Sequence, residues 1–157
     1  MEAGAAGSKT VGELKLMEAI VVPPHTTVLE ASRLMTERNV DSVLVVDKSG
    51  DGVKPAYMRR PEIVGIVSVK DVVNRVVAKG LDPSKVEVSK VMSHPVNTID
   101  PSTSVYKVAV MVNQQGFRQV PVLDSEKIRG IATSEVLNAF IAKDIIESLK
   151  AMATIFK

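Results

Sequence analysis

The chain has 157 residues, a length that suits one ordinary domain or two small ones. Its hydrophobic content of 45% and charged content of 24% are close to the average of soluble globular proteins, so neither a disordered nor an integral membrane protein is indicated. A net charge of +2 is too small to indicate a nucleic acid or an anionic membrane as a partner. The absence of cysteine excludes disulfides, thiolate zinc sites and cysteine nucleophiles.

The first predicted elements follow an N-terminal segment, residues 1–10, that has the composition of a flexible tail. The cluster Pro23–Thr27 supplies helix-capping residues, so a helix is predicted to begin at Val28. It is predicted to end at Asn39, a residue that tolerates the left-handed conformation. Its apolar face consists of Val28, Ala31, Leu34 and Met35. Two β-branched strands and a second helix are predicted next, over residues 43–46, 63–67 and 69–79.

A long insertion separates the two strands. Residues 49–62 contain glycine, proline and charges without an apolar period, which predicts a surface loop. The loop carries Lys54, Arg59 and Arg60 around Tyr57, a composition that would suit contact with a nucleic acid or with the phosphate of a ligand.

The same order of elements recurs after a predicted linker at residues 80–87. Residues 11–47 align with residues 88–124 without a gap, and seven of the 37 aligned pairs are identical. Each copy is predicted to be β-α-β-β-α, so the fold class is α/β (α+β), with two repeats packed in pseudo-twofold symmetry. The predicted organisation is repeat 1 over 11–79, repeat 2 over 88–143 and a C-terminal helix over 144–157.

This pattern resembles a tandem CBS-domain pair, also called a Bateman module, over about Val11 to Ala142. The cleft motif of that family is a glycine, an apolar residue, any residue, Ser or Thr, two further residues and Asp. Residues 65–71, GIVSVKD, match the motif in full. The second copy, GIATSEV at residues 130–136, keeps the hydroxyl at Thr133 but has Val136 in place of the Asp. We therefore expect one competent cleft and one weakened cleft.

The resemblance implies that an adenosine nucleotide (AMP, ADP, ATP or a related adenosyl compound) binds in the cleft between the repeats. It implies that Asp71 accepts hydrogen bonds from the ribose hydroxyls and that Ser68 holds the phosphate end. A helix N-terminus is also a suitable place for a phosphate. Asp41 stands where Arg118 stands in the other copy, so the weaker cleft would repel phosphate. The implied ligand-binding residues are Ser68, Val69, Lys70, Asp71, Met92, Val96, Asn97, Phe117 and Arg118, with Thr133, Ile20 and Val40 in the weaker cleft.

Most of these residues also have a purely structural interpretation. Ser68 and Asp71 fit the Ser-x-x-Asp pattern of a helix-capping box, which can coexist with ligand contact. Met92 and Phe117 would serve equally well as ordinary core residues, and Arg118 as a solvated surface charge. His25, beside two prolines, is interpreted as a turn residue, and His94 lies next to the proposed cleft in sequence.

The leading functional hypothesis is a regulatory ligand-sensing module, and two alternatives stay open. One is a nucleic-acid-associated regulator that uses the basic loop at 54–60; the other is a purely structural dimerisation module. An enzyme is not predicted, and neither is a resident metal or cofactor, although Mg²⁺ with the ligand stays open. No apolar stretch reaches the ~20 residues of a membrane span and no signal-peptide core is present, so a cytoplasmic location is expected. An apolar stripe in the C-terminal helix favours a homodimer, through Ile145, Leu149, Met152 and Phe156.

Overall fold

The computed structural model of the chain describes residues 9–48, 62–125 and 127–156. The chain divides into two compact units. The unit that we call N-terminal comprises Glu18–Asn97 and the short piece Ser125–Ile128. The C-terminal unit comprises the described residues up to Met17, Thr98–Asp124 and the described residues from Arg129 onwards. The units therefore do not coincide with the sequence repeats, because each takes the first segment of the other repeat.

In the N-terminal unit, three strands form one sheet in the order β1-β2-β3. β1 pairs with β2 in parallel, and β2 pairs with β3 antiparallel, with Leu44 opposite Ile66. All five residues of β2 are buried, as expected of a central strand. The elements of this unit are β1 (Val21–Val22), α1 (Val28–Arg38), β2 (Ser42–Val46), β3 (Ile63–Ser68) and α2 (Val69–Val72), which continues as a π-helical turn over Val73–Val77.

Helix α1 begins and ends where the sequence predicts. The Thr27 hydroxyl accepts a hydrogen bond from the Glu30 amide at 3.1 Å, and the Glu30 carboxylate accepts one from the Thr27 amide at 3.0 Å. This reciprocal pair satisfies two amides that the helix itself leaves unpaired. At the other end, Asn39 adopts the left-handed conformation with φ of 54°. The predicted inner face is confirmed for Val28, Ala31 and Met35, which are buried.

The C-terminal unit has the same order of helices and strands. Its first strand is reduced to a single parallel bridge between Ile99 and Val122. Gly116 ends the first helix with φ of 73°, as predicted. A cluster centred on Val108, Val122 and Leu137 forms the core of this unit. Its elements are α3 (Val105–Gln115), β4 (Gln119–Leu123), β5 (Ile128–Thr133) and α4 (Ser134–Ile155). The mixed composition of the two units confirms the predicted α+β class.

Several boundaries differ from the sequence-based ones. The Lys9 carbonyl accepts a hydrogen bond from the Val105 amide at 3.0 Å, so the last two residues of the segment predicted as a tail contact α3, while residues 1–8 lie outside the described residues. Part of the predicted linker packs on α1, since the Val86 carbonyl accepts the Val28 amide at 2.8 Å. The second helix of repeat 1 ends near Val77 instead of residue 79. The helix predicted at 144–157 is the continuation of α4.

The predicted surface loop falls almost entirely on residues 49–61, which lie outside the described residues. Within the ranges that the structure does describe, none of the helices combines the length and the apolar character needed to cross a membrane.

Candidate functional site

The motif Gly65–Asp71 forms the end of β3 and the first turn of α2. The Ser68 hydroxyl accepts the Asp71 amide at 3.2 Å and donates to Asp71 Oδ2 at 3.0 Å. The same Oδ2 accepts the Ser68 amide at 2.9 Å. The capping box that the sequence offers as a structural interpretation is therefore present.

The second oxygen of Asp71 is not used by the cap. Asp71 Oδ1 lies 3.7 Å from Nη1 of Arg75, which is beyond hydrogen-bond length. The Asp71 side chain is only 15% exposed, while that of Arg75 is 43% exposed. A carboxylate has acceptor sites on both oxygens, so Asp71 can hold the cap with one and accept a ligand hydroxyl with the other.

Arg75 connects α2 to the segment that contains Met92. Its Nη1 donates to the Val91 carbonyl at 2.6 Å. One residue further along, Ser93 exchanges two backbone hydrogen bonds with Ile66 of β3, at 2.8 and 3.0 Å. Met92 therefore lies between a residue bonded to Arg75 and a residue bonded to β3, in the same unit as Ser68 and Asp71.

The remaining predicted ligand residues are divided between the units. Val69 and Lys70 lie exposed in the first turn of α2. Val96 is half-buried and Asn97 is exposed, at the end of the N-terminal unit. Phe117 and Arg118 belong to the C-terminal unit, where Phe117 packs against the hydrophobic core and Arg118 is exposed. The structure therefore brings together the predicted residues from 68 to 97 in one unit and places the pair at 117–118 in the other.

The second copy of the motif has the cap hydroxyl without the carboxylate. Thr133 Oγ1 accepts the Val136 amide at 3.2 Å, as Ser68 does for Asp71. Val136 is half-buried and Glu135 is exposed, so no acid occupies the place of Asp71. Thr133 lies in the C-terminal unit. The other two residues predicted for the weaker cleft, the half-buried Ile20 and the buried Val40, lie in the N-terminal unit.

Sequence reasoning missed two polar features beside the motif. Arg75 follows Asp71 by four residues on a helix, and that spacing is the signal that could have identified it. Ser42, opposite Ser68 in the β2–β3 pair, is fully buried, and its hydroxyl has no hydrogen-bond partner among the described residues. Gln119, the matching residue of the other repeat, likewise has a buried and unpartnered Oε1. Unpaired buried polar groups are costly, so these two mark places where a further polar partner would be stabilising.

A positively charged recess adjoins Arg75. It has a volume of about 500 Å³ and is lined by four basic residues and one acidic residue, Glu87, together with three apolar side chains. The basic residues are Arg75, Lys79, Lys85 and Lys90. Such a concave group of like charges attracts anions. Metal binding is a different matter, since no group of three or more His, Asp or Glu suited to a metal ion occurs within the described ranges.

Comparisons with known proteins agree with the repeat seen in the sequence. A family model for the CBS domain matches residues 11–78 and again residues 88–148. The CBS domain-containing protein CBSCBSPB3 of Arabidopsis thaliana is 36% identical over 81% of this chain and 21% of its own length. An uncharacterized protein of Methanocaldococcus jannaschii is 30% identical over 90% of this chain and 73% of its own. A hexameric CBS-CP12 protein from bloom-forming cyanobacteria shares the fold with a TM-score of 0.69, at 24% identity, over 93% of this chain and 85% of that one.

The chain spans about a fifth of the length of its Arabidopsis relatives.

Proposed function

The chain belongs to the CBS-domain family, and from that premise we propose that it is a regulatory module which binds an adenosine nucleotide through Asp71. The ligand would be AMP, ADP, ATP or a related adenosyl compound. The observation that supports this most directly is that the two oxygens of the Asp71 carboxylate have different contacts. Oδ2 accepts the hydrogen bonds of the helix cap, while Oδ1 makes none of them and can accept a ligand hydroxyl.

The recess beside Arg75, whose guanidinium lies 3.7 Å from Asp71 Oδ1, favours a ligand that carries phosphate. Arg75 and the three lysines of the recess outnumber its single acid, Glu87. A phosphate could pair with a guanidinium through two parallel hydrogen bonds, which is among the strongest polar contacts in proteins.

The two copies of the motif would not contribute equally. Since Val136 replaces the carboxylate in the second copy, a nucleoside there would lack the acceptor that its ribose needs. We expect one nucleotide of high affinity for each chain, organised by Asp71, with Thr133 at a site of low affinity or of different specificity.

Nucleotide binding would serve regulation and not catalysis. A ligand shifts an equilibrium only by binding one state more tightly than the other, so a second conformation, another copy of the chain or a partner protein is required. We also propose that the chain assembles with copies of itself, at least as a dimer. The solved CBS-CP12 relative is described as hexameric, which supports self-assembly within the same fold.

Titration calorimetry with a panel of adenosine, AMP, ADP and ATP, each with and without Mg²⁺, tests the proposal. We expect binding of at least one phosphorylated compound, and a weaker response to adenosine. Thermal unfolding provides the second measurement, because a ligand at 100 times its Kd adds about 2.7 kcal/mol to the stability of the folded state. If no compound at millimolar concentration gives heat or raises the Tm, the proposed function is wrong.

A further inference from the structure

The end of helix α4 exposes a large apolar surface. Up to Ile141 the helix packs on the core of the C-terminal unit, through Leu137, Phe140 and Ile141. From Ile145 onwards every described side chain is exposed. The large apolar side chains among them have exposed fractions of 51 to 81%, and they are Ile145, Ile146, Leu149, Met152, Ile155 and Phe156.

The exposed segment follows directly after a side-chain contact with α3. The Tyr106 hydroxyl donates a hydrogen bond to Asp144, immediately before the exposed residues begin. The remaining three turns are about 16 Å long, and all of their described side chains are exposed. Because these exposed turns bury little apolar surface within the chain, a partner that covers their apolar side chains would stabilise them.

The apolar residues follow a seven-residue pattern. Ile145, Leu149, Met152 and Phe156 are spaced by four, three and four residues, which places them in one seam along the helix. Ile146 and Ile155 lie on the two sides of that seam and widen it. The charged residues Lys143, Glu147 and Lys150 lie on the opposite side. A face this wide is typical of helices in the core of a bundle, while a simple two-stranded coil has a narrower seam.

The chemistry of the segment favours another protein helix of the same kind as its occupant. The segment from residue 143 to residue 157 contains three lysines against Asp144 and Glu147. Its net charge of +1 is small, so an anionic membrane surface would gain little from it. At about 100 Å² of apolar surface for each of the six side chains, two stripes would together bury about 1,200 Å², the lower end of specific protein interfaces.

We propose that this terminal stripe, residues 145–156, is the surface through which copies of the chain associate, with the stripe of one copy covering that of another. The terminal stripe would then be the interface of the self-assembly proposed above, at a place separate in sequence from the nucleotide-binding residues. Ile146 and Ile155, on the two sides of the seam, are also apolar. The stripe can therefore contact a second pair of helices and so build assemblies larger than a dimer.

Engineered cysteines provide a direct test, since the native chain has none. Met152→Cys places a thiol in the seam, and Glu147→Cys places one on the opposite side of the same helix as a matched control. Under mild oxidation we expect disulfide-linked dimers for Met152→Cys and little crosslinking for Glu147→Cys. Equal crosslinking of the two variants, or none in either, would overturn the proposal.

Sedimentation equilibrium of the full chain gives the second measurement. The native chain should be oligomeric at about 100 µM. Leu149→Glu with Met152→Glu should raise the dissociation constant by about 100-fold or more, since two charges would be buried without partners. A native chain that stays monomeric, or a double variant that assembles like the native chain, would refute the location. Nucleotide titration of the double variant separates the two proposals, because its affinity should be unchanged if only assembly is lost.

Discussion

Met92 packs directly on the face of Gly65, so closely that no side chain fits between them. A β-carbon at Gly65 would lie 2.6 Å from Met92 Cγ and 2.9 Å from Met92 Cβ, closer than carbon atoms approach one another in proteins. The close approach of Met92 therefore explains why a glycine, and no larger residue, begins the Gly65–Asp71 motif. It lets the segment of Met92 pair with β3 beside the helix start that carries Asp71.

Gly65→Ala should destabilise the protein, because Met92 must move or β3 must bend. Overpacking of this kind costs about 1–3 kcal/mol, and chemical denaturation should show the loss as a lower midpoint with an unchanged slope. Met92→Ala in the same chain should recover part of the loss, since it removes the colliding atoms. Strictly additive effects of the two substitutions would show that the contact is not the cause.

Asp71→Asn and Thr133→Ala should separate the two copies of the motif. Asparagine keeps an oxygen that can accept the Ser68 amide but lacks the charge, so the cap survives while hydrogen bonds from ribose weaken. We expect a loss of about 1.5–3 kcal/mol in nucleotide affinity, or one to two decades in Kd. Thr133→Ala should cost about 1 kcal/mol of stability through the lost cap, with little change in affinity. Similar losses of affinity in both variants, measured by calorimetry, would contradict the asymmetry.

Local sequence signals predicted the elements well. The helix ends at Asn39 and Gly116, the cap at Thr27 and the β2–β3 hairpin follow from residue types and periods that act within a few positions. The cap at Ser68 was also readable, because its two partners are three residues apart.

Contacts between distant residues were not readable from the sequence. Met17 pairs with Ile131 and Ser93 pairs with Ile66 through single bridges, which have no two-residue period to reveal them. These bridges make the compact units exchange segments between the repeats. Arg75 binds a main-chain carbonyl, that of Val91, and a carbonyl has no sequence signature.

Asp82 and Asp100 should titrate below the ordinary range of aspartate. Each accepts the amide and the hydroxyl of the serine two residues later, Ser84 or Ser102, and these hydrogen bonds lower the pKa of each carboxyl below 3.8. Because the folded pKa lies below the unfolded one, the stabilisation is present above pH 3.8 and is lost as the pH falls through the folded value. Carboxyl carbon shifts in an NMR titration measure both pKa values.

Ser84→Ala is the matched control for Asp82, and Ser102→Ala is the control for Asp100. Each should raise the pKa of its own aspartate and leave the other unchanged. An aspartate whose pKa does not respond to removal of its serine hydroxyl would show that the turn does not stabilise the charged form.

Arg75→Met and Lys79→Met should give different results, although both remove a cation from the same recess. Arg75 also donates to the Val91 carbonyl, so its loss leaves that carbonyl without its partner and loosens the segment of Met92. We expect Arg75→Met to lower the free energy of unfolding by about 1–2 kcal/mol, and to weaken ATP more than adenosine. Lys79 is exposed, so Lys79→Met should leave the Tm unchanged and reduce only the affinity for phosphorylated ligands. Thermal unfolding and calorimetry with ATP and adenosine distinguish these outcomes.

Equal Tm values for both variants would mean that the Arg75 hydrogen bond does not hold the segment. An unchanged ATP-to-adenosine ratio in both would mean that the recess does not receive phosphate.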